Sequence, residues 1–257
     1  MTDLERCIEF ICGIADRAAL QKVPSPYGVA HLNLELPYVW SRNYLFAETN
    51  LDDASAEQLA AETDRILGDA GLNHRKVELI DAEAGDRLEP GFATLGWVSE
   101  CALVMVARRP LDREVDTSIV DEVTVEELVP VWAEGWRSEP RVENEEVVRQ
   151  LGDNRRVLID AIDTRLFAGR VDGEIGSYCE LYSDGRTGQI ENVFTLERFR
   201  NRGLARATVT RALEESLAVG HDLTFLLADR DDWPRALYAK LGFDDIGRIW
   251  EFILAKR

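Results

Sequence analysis

Cysteine and histidine are scarce in this 257-residue sequence, which limits the metal chemistry that it can support. The four cysteines form no Cys-x-x-Cys pair, and the three histidines lie far from them in the sequence. Structural zinc sites need closely spaced thiol and imidazole ligands. We therefore predict no metal site, and we interpret Cys7, Cys12, Cys101 and Cys179 as small buried side chains without a chemical role.

Long apolar runs are also missing. No stretch approaches the roughly 20 consecutive apolar residues that a membrane-spanning helix requires. The first residues, Met-Thr-Asp-Leu-Glu-Arg, show no basic segment followed by an apolar one, which is the pattern of a secretory signal. We expect a soluble, cytoplasmic protein.

Positive charge is in short supply, because 30 basic residues stand against 48 acidic ones and give a formal net charge of −18. Such a chain repels a phosphate backbone or an anionic membrane surface overall. We therefore predict neither nucleic acid nor membrane as a partner, although a local basic cluster remains compatible with this balance.

The length is sufficient for two domains of about 100–150 residues each. In the N-terminal half, helical spacing of apolar residues precedes a Pro-Ser-Pro-Tyr-Gly breaker at 24–28, and strand-like runs follow at 29–36 and 38–46. Further strands are predicted at 76–80 and 101–107, with helices between them. A charged segment around Pro110 marks the linker, so we predict an N-terminal domain at 1–109, a linker at 110–117 and a C-terminal domain at 118–257.

The C-terminal half is predicted to begin with antiparallel strands joined by tight turns and to continue with a crossover connection. Thr124-x-x-Glu127 is a capping-box pattern for a helix, and Asp-Gly pairs at 172–173 and 184–185 predict tight turns between three antiparallel strands. A long crossover then follows, with a helix at about 203–219, an apolar strand at 223–228, a helix at 233–241 and a strand at 248–254. Because a crossover of this kind joins parallel strands, the third strand should pair in parallel with 223–228. The predicted fold class is mixed α/β.

The most informative motif is Arg200-Asn201-Arg202-Gly203-Leu204-Ala205, where a predicted strand ends and a helix begins. A helix N-terminus presents unpaired N–H groups and partial positive charge, and glycine allows close approach of a ligand. Arginines surround the motif at 198, 200, 202 and 206. We interpret the segment as a diphosphate cradle; an ordinary solvated helix start is the alternative.

A second motif follows the next predicted strand and reads Leu237-Tyr238-Ala239-Lys240-Leu241-Gly242-Phe243. Together, the two motifs resemble those of the GCN5-related N-acetyltransferase (GNAT) superfamily, whose loop has the form Gln/Arg-x-x-Gly-x-Gly/Ala and whose later segment has the form Leu/Phe-Tyr-x-Lys-x-Gly-Phe. The resemblance covers residues 118–257 and implies a GNAT-like acyl-CoA N-acyltransferase fold. It also implies acetyl-CoA as co-substrate.

The resemblance assigns cofactor contacts position by position. It implies that the main chain before the loop binds the pantetheine arm and that loop N–H groups hold the diphosphate. Relatives often carry an asparagine where this chain has Asp231, so that contact is in doubt. The implied cofactor-binding residues are Val193, Phe194, Thr195, Arg200, Asn201, Arg202, Gly203, Leu204, Ala205, Arg206 and Asp231.

Two catalytic residues are predicted. Tyr238 occupies the position of the family tyrosine that protonates the departing thiolate, and a phenol with a pKa of about 10 suits that task. A purely structural tyrosine is the alternative. Glu191, next to the cofactor segment, is our candidate base for removing a proton from the ammonium acceptor, unless its carboxylate simply points into solvent. Gln189 and Asn192 are candidates for positioning the acceptor or a water.

The N-terminal half resembles a reduced version of the same fold. Where a diphosphate loop would lie, residues 47–57 contain no glycine and several acidic residues, which would repel a diphosphate. We interpret this half as a degenerate, cofactor-free domain that shapes the acceptor site or an oligomer contact. The resemblance to the family also implies a homodimer.

The predicted function is therefore transfer of acetyl from acetyl-CoA to a primary amine, on a small molecule or a peptide, by direct attack in a ternary complex. The alternative from another class is a non-catalytic acyl-CoA-binding or regulatory module. A scaffold built on two such folds is a third interpretation.

Overall fold

Helices and strands alternate in a mixed α/β pattern through residues 1–255, which the computed structural model describes. The helices are α1 (Asp3–Ala18), α2 (Ala56–Asp69), α3 (Ala82–Thr94), α4 (Val125–Arg137), α5 (Glu145–Ala161), α6 (Leu204–Ala218) and α7 (Pro234–Lys240). The strands are β1 (Gln21–Ser25), β2 (Gly28–Leu32), β3 (Tyr44–Ala47), β4 (His74–Leu79), β5 (Val98–Ala107), β6 (Val120–Val123), β7 (Asp163–Val171), β8 (Glu174–Ser183), β9 (Thr187–Thr195), β10 (Leu223–Asp229) and β11 (Phe243–Ala255).

Residue contacts divide the chain into two compact units that do not follow its order. Unit 1 comprises Met1–Phe10, Val104–Ala228 and Asp232–Ile246. Unit 2 comprises Ile11–Leu103, Asp229–Asp231 and the chain from Gly247. Each unit therefore takes a segment from the other half of the sequence, unlike a simple division at 110–117. Lys256 and Arg257, the last residues of the predicted C-terminal domain, lie outside the described residues.

Unit 2 is built on strands in the order β1–β2–β3–β4–β11. Residues of β11 pair antiparallel with β4, so that Trp250 lies opposite Leu79 and Phe252 opposite Val77. The two aromatic rings stack at 5.7 Å and belong to the buried core beneath α2 and α3. A Cβ on Gly85 of α3 would lie 2.0 Å from the Trp250 ring, so only glycine permits this approach.

The strand predictions at 29–36 and 38–46 are correct only in part, because residues 29–32 lie in β2 and residues 44–46 lie in β3. The chain forms the strands β1 and β2 around a turn, and residues 33–43 then form turns and a 3₁₀ helix instead of a second long strand. Buried Asn43 explains the difference. Its side chain donates to the carbonyls of Leu36 and Val39, at 2.9 and 3.2 Å, and accepts from the N–H of Asn33 at 2.9 Å. These bonds satisfy a backbone that a strand would have paired.

Unit 1 carries the meander and the crossover that the sequence predicts. β7, β8 and β9 pair antiparallel, and β10 pairs in parallel with β9 after the α6 crossover. Thr124 and Glu127 form the predicted capping box of α4. On one face of this sheet α4 buries Trp132 against Leu166 and Tyr178.

The other face of the unit 1 sheet is covered by α6. Its Leu204 and Thr208 side chains lie against Gly169 of β7, where a Cβ would be 3.1 Å from the Thr208 hydroxyl. The Cys179 thiol on β8 lies 3.6 Å from the Thr208 carbonyl. The sheet of unit 1 is thus enclosed between α4 and α5 on one side and α6 on the other, and β9 runs through its middle.

Candidate active site

The loop between β9 and α6 is shaped by two residues with left-handed backbone. Asn201 has φ of 63° and Gly203 has φ of 79°. Glycine adopts such angles without cost, and asparagine tolerates them better than most residues. Next to the loop, a small hydrophobic cluster is formed by buried Leu196, Phe199 and Leu204. The predicted turn therefore exists, and its glycine is required by the backbone angle.

The first turn of α6 is left uncapped by its own chain. Gly203 is the cap residue, and it offers no side chain to accept from the N–H groups that follow. The first helical bond to its carbonyl comes from Ala207, at 3.1 Å. A Cβ on Gly203 would meet no protein atom within 4 Å, so the cap residue itself borders open space. This is the arrangement that an anion needs.

The start of α2 in unit 2 gives the contrasting case. There Ser55 accepts from the N–H of Gln58 at 3.3 Å, and the Gln58 side chain accepts from the N–H of Ser55 at 2.8 Å. This capping box engages the N–H of Gln58, whose counterpart in the first turn of α6 has no side-chain cap. The geometry agrees with the interpretation that unit 2 lacks a diphosphate cradle.

Two of the four arginines around the loop are engaged by carboxylates. Arg198 forms ion pairs with Glu134 and, at 3.5 Å, with Glu174. Arg206 is buried and its guanidinium lies 2.6 Å from Asp112. These two side chains therefore form ion pairs within the protein. The backbone N–H of Arg206 still belongs to the uncapped first turn of α6.

The other two arginines are available to a ligand. Arg202 is exposed, and its guanidinium lies over the Phe199 ring at 5.6 Å. Arg200 is also exposed and makes a 3.4 Å contact from Nε to the carbonyl of Thr195. Guanidinium groups at these positions can contact a phosphate without giving up an ion pair.

β9 separates from β10 where the sequence predicts the pantetheine contacts. The parallel pairing ends at Ile190 and Leu226, whereas β9 continues to Thr195. The main chain of 191–195 therefore faces an unpaired side, and Val193, Phe194 and Thr195 are half-buried. The Phe194 side chain packs into the α4 core, so only its main chain is placed for a ligand; its carbonyl also accepts from Ser177 at 2.8 Å.

Tyr238 lies on α7, with only 6% of its surface exposed. Its ring meets Phe243 edge-on at 6.4 Å, while its hydroxyl makes no hydrogen bond within residues 1–255. Burial raises the pKa of the phenol, and the Glu191 carboxylate raises this pKa further. A structural tyrosine would bond through its hydroxyl, so an unbonded, fully protonated phenol fits a proton donor better.

Glu191 is half-buried and accepts from the Gln189 side chain at 2.8 Å. Burial raises the pKa of its carboxyl group, Arg155 opposes this change, and Glu180 adds to it. A carboxyl with raised pKa is a better proton acceptor than an exposed one. This environment speaks against a carboxylate that merely points into solvent.

Sequence reasoning missed a polar network beside these residues. Glu180 on β8 is 1% exposed, and Arg155 of α5 and Tyr182 of β8 bond to it together with Asn192. The signal was present as a glutamate between tyrosines at 178 and 182 in the middle of a strand whose residues 176–182 are all buried. A charge at a buried strand position requires partners.

Asp231 stands apart from this group. It belongs to unit 2, is exposed, and contacts Arg230 at 3.3 Å. Its own N–H donates to Asp229 at 2.8 Å. The structure therefore gives no geometric support for the cofactor contact suggested at this position, which stays a prediction.

A shallow groove of about 320 Å³ lies beside the loop, bounded by α4, the β7–β8 turn and Leu196. Its charged walls are internally paired, as Arg170 binds Glu127 at 2.7 Å and Arg198 binds Glu134. Neither Tyr238 nor Glu191 lines it. Within residues 1–255, three or more potential metal-ligating side chains nowhere come together, and no helix has the length and apolarity to span a membrane.

Part of the chain matches a known protein family. A sequence model described as the acetyltransferase (GNAT) family matches residues 126–243. Curated proteins give no match. The resemblance predicted from the two motifs is thereby confirmed.

Solved structures share the fold at low identity. A functionally unknown conserved protein from Staphylococcus epidermidis ATCC 12228 is 14% identical, with a TM-score of 0.68 over 92% of this chain and 94% of its own. A GCN5-related N-acetyltransferase from Kribbella flavida is 16% identical, with a TM-score of 0.62 over 97% and 94%. A tandem GNAT protein from the clavulanic acid biosynthesis pathway is 15% identical, with a TM-score of 0.52 over 78% and 70%. These likenesses confirm the predicted mixed α/β, GNAT-like fold.

Proposed function

We propose that the protein, whose residues 126–243 match the acetyltransferase (GNAT) family model, is an N-acetyltransferase that moves acetyl from acetyl-CoA to a primary amine. The observation that carries the proposal is the uncapped start of α6 beside the opening between β9 and β10. The same unit supplies an unbonded tyrosine and a partly buried carboxylate for proton transfer.

The residues around α6 fit the diphosphate of acetyl-CoA. Free N–H groups of the first helical turn would hold its oxygens, and exposed Arg200 and Arg202 would balance its charge. The unpaired main chain at 193–195 would bind the amides of the pantetheine arm. In this arrangement the thioester would lie next to Glu191, which belongs to the same strand as residues 193–195.

Proton transfers complete the proposed reaction. Glu191 takes a proton from the ammonium acceptor, directly or through water, which frees the nitrogen lone pair for attack. A bond forms between that nitrogen and the acetyl carbon as the bond from carbon to sulfur breaks. Tyr238 gives its proton to the departing thiolate, and its phenolate takes up the second proton that the nitrogen loses as it becomes the amide. No acyl-enzyme is needed, and buried Cys179 on β8 faces α6 instead.

Unit 2 takes no part in binding acetyl-CoA in this proposal. The capping box of Ser55 and Gln58 already engages the Gln58 N–H of the first turn of α2, and the acidic loop before it would repel the ligand. The acceptor is a cationic amine, on a small molecule or a peptide, in keeping with the acidity of the chain.

Thiol release from acetyl-CoA across a panel of amines tests the proposal, with mass spectrometry of the products. We expect release that depends on an amine and an acetylated product in equal amount. Binding of acetyl-CoA without turnover on any amine would favour the alternative, a non-catalytic acyl-CoA-binding or regulatory module. Failure to bind any acyl-CoA would contradict both.

A further inference from the structure

Glu180 is a buried carboxylate with an unusually complete set of donors. The Tyr182 hydroxyl donates to its Oε2 at 2.5 Å, and Nη1 of Arg155 lies 3.2 Å from both of its oxygens. The Asn192 side chain donates to its Oε1 at 2.6 Å. A carboxylate bound in this way is held in one position, because both oxygens are occupied.

Asn192, which donates to Oε1 of Glu180, lies where the register between β8 and β9 shifts. Glu180 pairs with Glu191 and Tyr178 pairs with Phe194, so Asn192 and Val193 both lie opposite the single residue Cys179. This is a β-bulge, and Asn192 adopts a left-handed φ of 53° within it. The bulge follows directly after Ile190, where pairing with β10 ends.

The bulge also controls the candidate base. Glu191 directly precedes Asn192 and lies opposite Glu180 in the pairing of β8 with β9, and its carboxylate accepts from the Gln189 side chain. The position of Glu191 and the unpaired main chain at 193–195 therefore both depend on the backbone of Asn192. Asparagine adopts a left-handed angle less readily than glycine does, so a hydrogen bond to its side chain helps to hold this backbone.

We propose that Glu180 is a positioning residue for acyl transfer: anchored by Arg155 and Tyr182, it clamps Asn192 in the left-handed bulge that separates β9 from β10 and presents Glu191. This inference rests on the proposed function. It also gives α5 a role. This helix supplies Arg155, so the position of α5 affects the position of Glu180.

Charged and titratable groups on three elements interact electrostatically with Glu191. Arg155 comes from α5, Glu180 from β8 and Tyr238 from α7. The negative charge of Glu180 raises the pKa of Glu191, whereas Arg155 lowers it. Removing the Glu180 charge while leaving Arg155 in place therefore shifts the titration of Glu191 to lower pH.

The first test uses Asn192→Gly, because glycine accepts the left-handed angle and only the clamp is lost. Loss of a hydrogen bond to a charged group corresponds to about a 10- to 100-fold effect. We expect the acetyl-CoA dissociation constant, measured by calorimetry, and KM to rise about tenfold or more, and kcat to fall. Asp172→Gly is the matched control, since Asp172 has φ of 52° in the exposed β7–β8 turn. Acetyl-CoA affinity and kcat/KM of Asn192→Gly equal to those of the wild type would overturn the proposal.

The second test is the pH profile of Glu180→Gln, which keeps the shape of the side chain and an acceptor for Asn192. We expect the acidic limb of kcat/KM to move to lower pH, an effect that a merely structural glutamate would not produce. An unmoved limb in a folded variant would overturn the proposal. If Glu180→Gln fails to fold, Asn192→Gly decides alone. If the wild type acetylates no amine, the proposed function fails, and the acetyl-CoA affinity of Asn192→Gly still tests the clamp.

Discussion

The Glu191 carboxylate lies close enough to the Tyr238 hydroxyl for its charge to raise the pKa of the phenol. The two groups come from β9 and α7, which the α6 crossover and β10 separate in the sequence. In the proposed reaction this carboxylate accepts a proton and this phenol donates one, and the charge of the first raises the pKa of the second. The predictions below follow from this relationship and from the loop that precedes α6.

Removal of the Tyr238 hydroxyl should slow the chemical step. For Tyr238→Phe we expect kcat to fall by about 10²- to 10⁴-fold, the usual contribution of a general acid, with little change in acetyl-CoA affinity. Steady-state kinetics and calorimetry measure the two quantities. Tyr44→Phe, a buried tyrosine of unit 2, is the control and should retain wild-type kcat. A Tyr238→Phe enzyme with full kcat would show that the tyrosine is structural.

The pH dependence should report Glu191. Its pKa is raised, and the proton acceptor must be ionised, so activity falls as the pH is lowered through this raised pKa. For Glu191→Gln we expect a lower kcat and loss of the acidic limb of the pH profile. Glu126→Gln on the exposed side of α4 should keep both. Persistence of the limb in Glu191→Gln would assign it to another group.

The two classes of arginine near the loop should behave differently. Arg202→Ala should raise KM for acetyl-CoA about tenfold, because an exposed cation that can contact the diphosphate is lost. Arg198→Ala should change KM much less, since Glu134 already engages that side chain. The comparison is made at two salt concentrations, where Arg202→Ala should weaken the salt dependence. Equal effects of both substitutions would contradict the assignment.

A buried carboxylate of unit 2 should make stability depend on pH. Burial and then the Glu251 charge raise the pKa of Glu78 to about 7. Ionising Glu78 in the folded protein is therefore unfavourable, and this cost is small at pH 4.5, grows between pH 4.5 and about 7, and is constant at higher pH. Glu78→Gln should raise Tm at pH 8 and leave it unchanged at pH 4.5, because Lys76 keeps its 2.7 Å pair with Glu251. A Tm gain of the same size at both pH values would contradict this account; exposed Glu83→Gln is the control.

Local signals explain what could be predicted from the sequence. The capping box of Thr124 and Glu127, the Asp-Gly turn at 172–173 and the Gly203 loop are each set by a few adjacent residues, and the structure contains all three. Tyr238 was found because its motif is continuous in the sequence. Its burial and its unbonded hydroxyl needed the fold.

Non-local contacts explain what could not be predicted. Asn43 satisfies backbone groups up to ten residues away, which no strand periodicity reveals. The pairing of β11 with β4 joins residues from different halves of the chain, and so assigns the C-terminal strand to the same unit as β4. Glu180 and Arg155 meet only because α5 packs on β8, so neither residue carries a sequence motif.

Calorimetric titration of acetyl-CoA into the wild type, Gly203→Glu and Gly185→Glu tests the account most directly. Gly203 and Gly185 both have left-handed φ, 79° and 90°, and a Cβ on either would meet no protein atom within 4 Å. The two variants therefore share their backbone strain and added charge, but only Gly203 caps α6. We predict one acetyl-CoA per chain for the wild type and Gly185→Glu, and no binding for Gly203→Glu. Equal binding by both variants, or none by the wild type, would contradict the account.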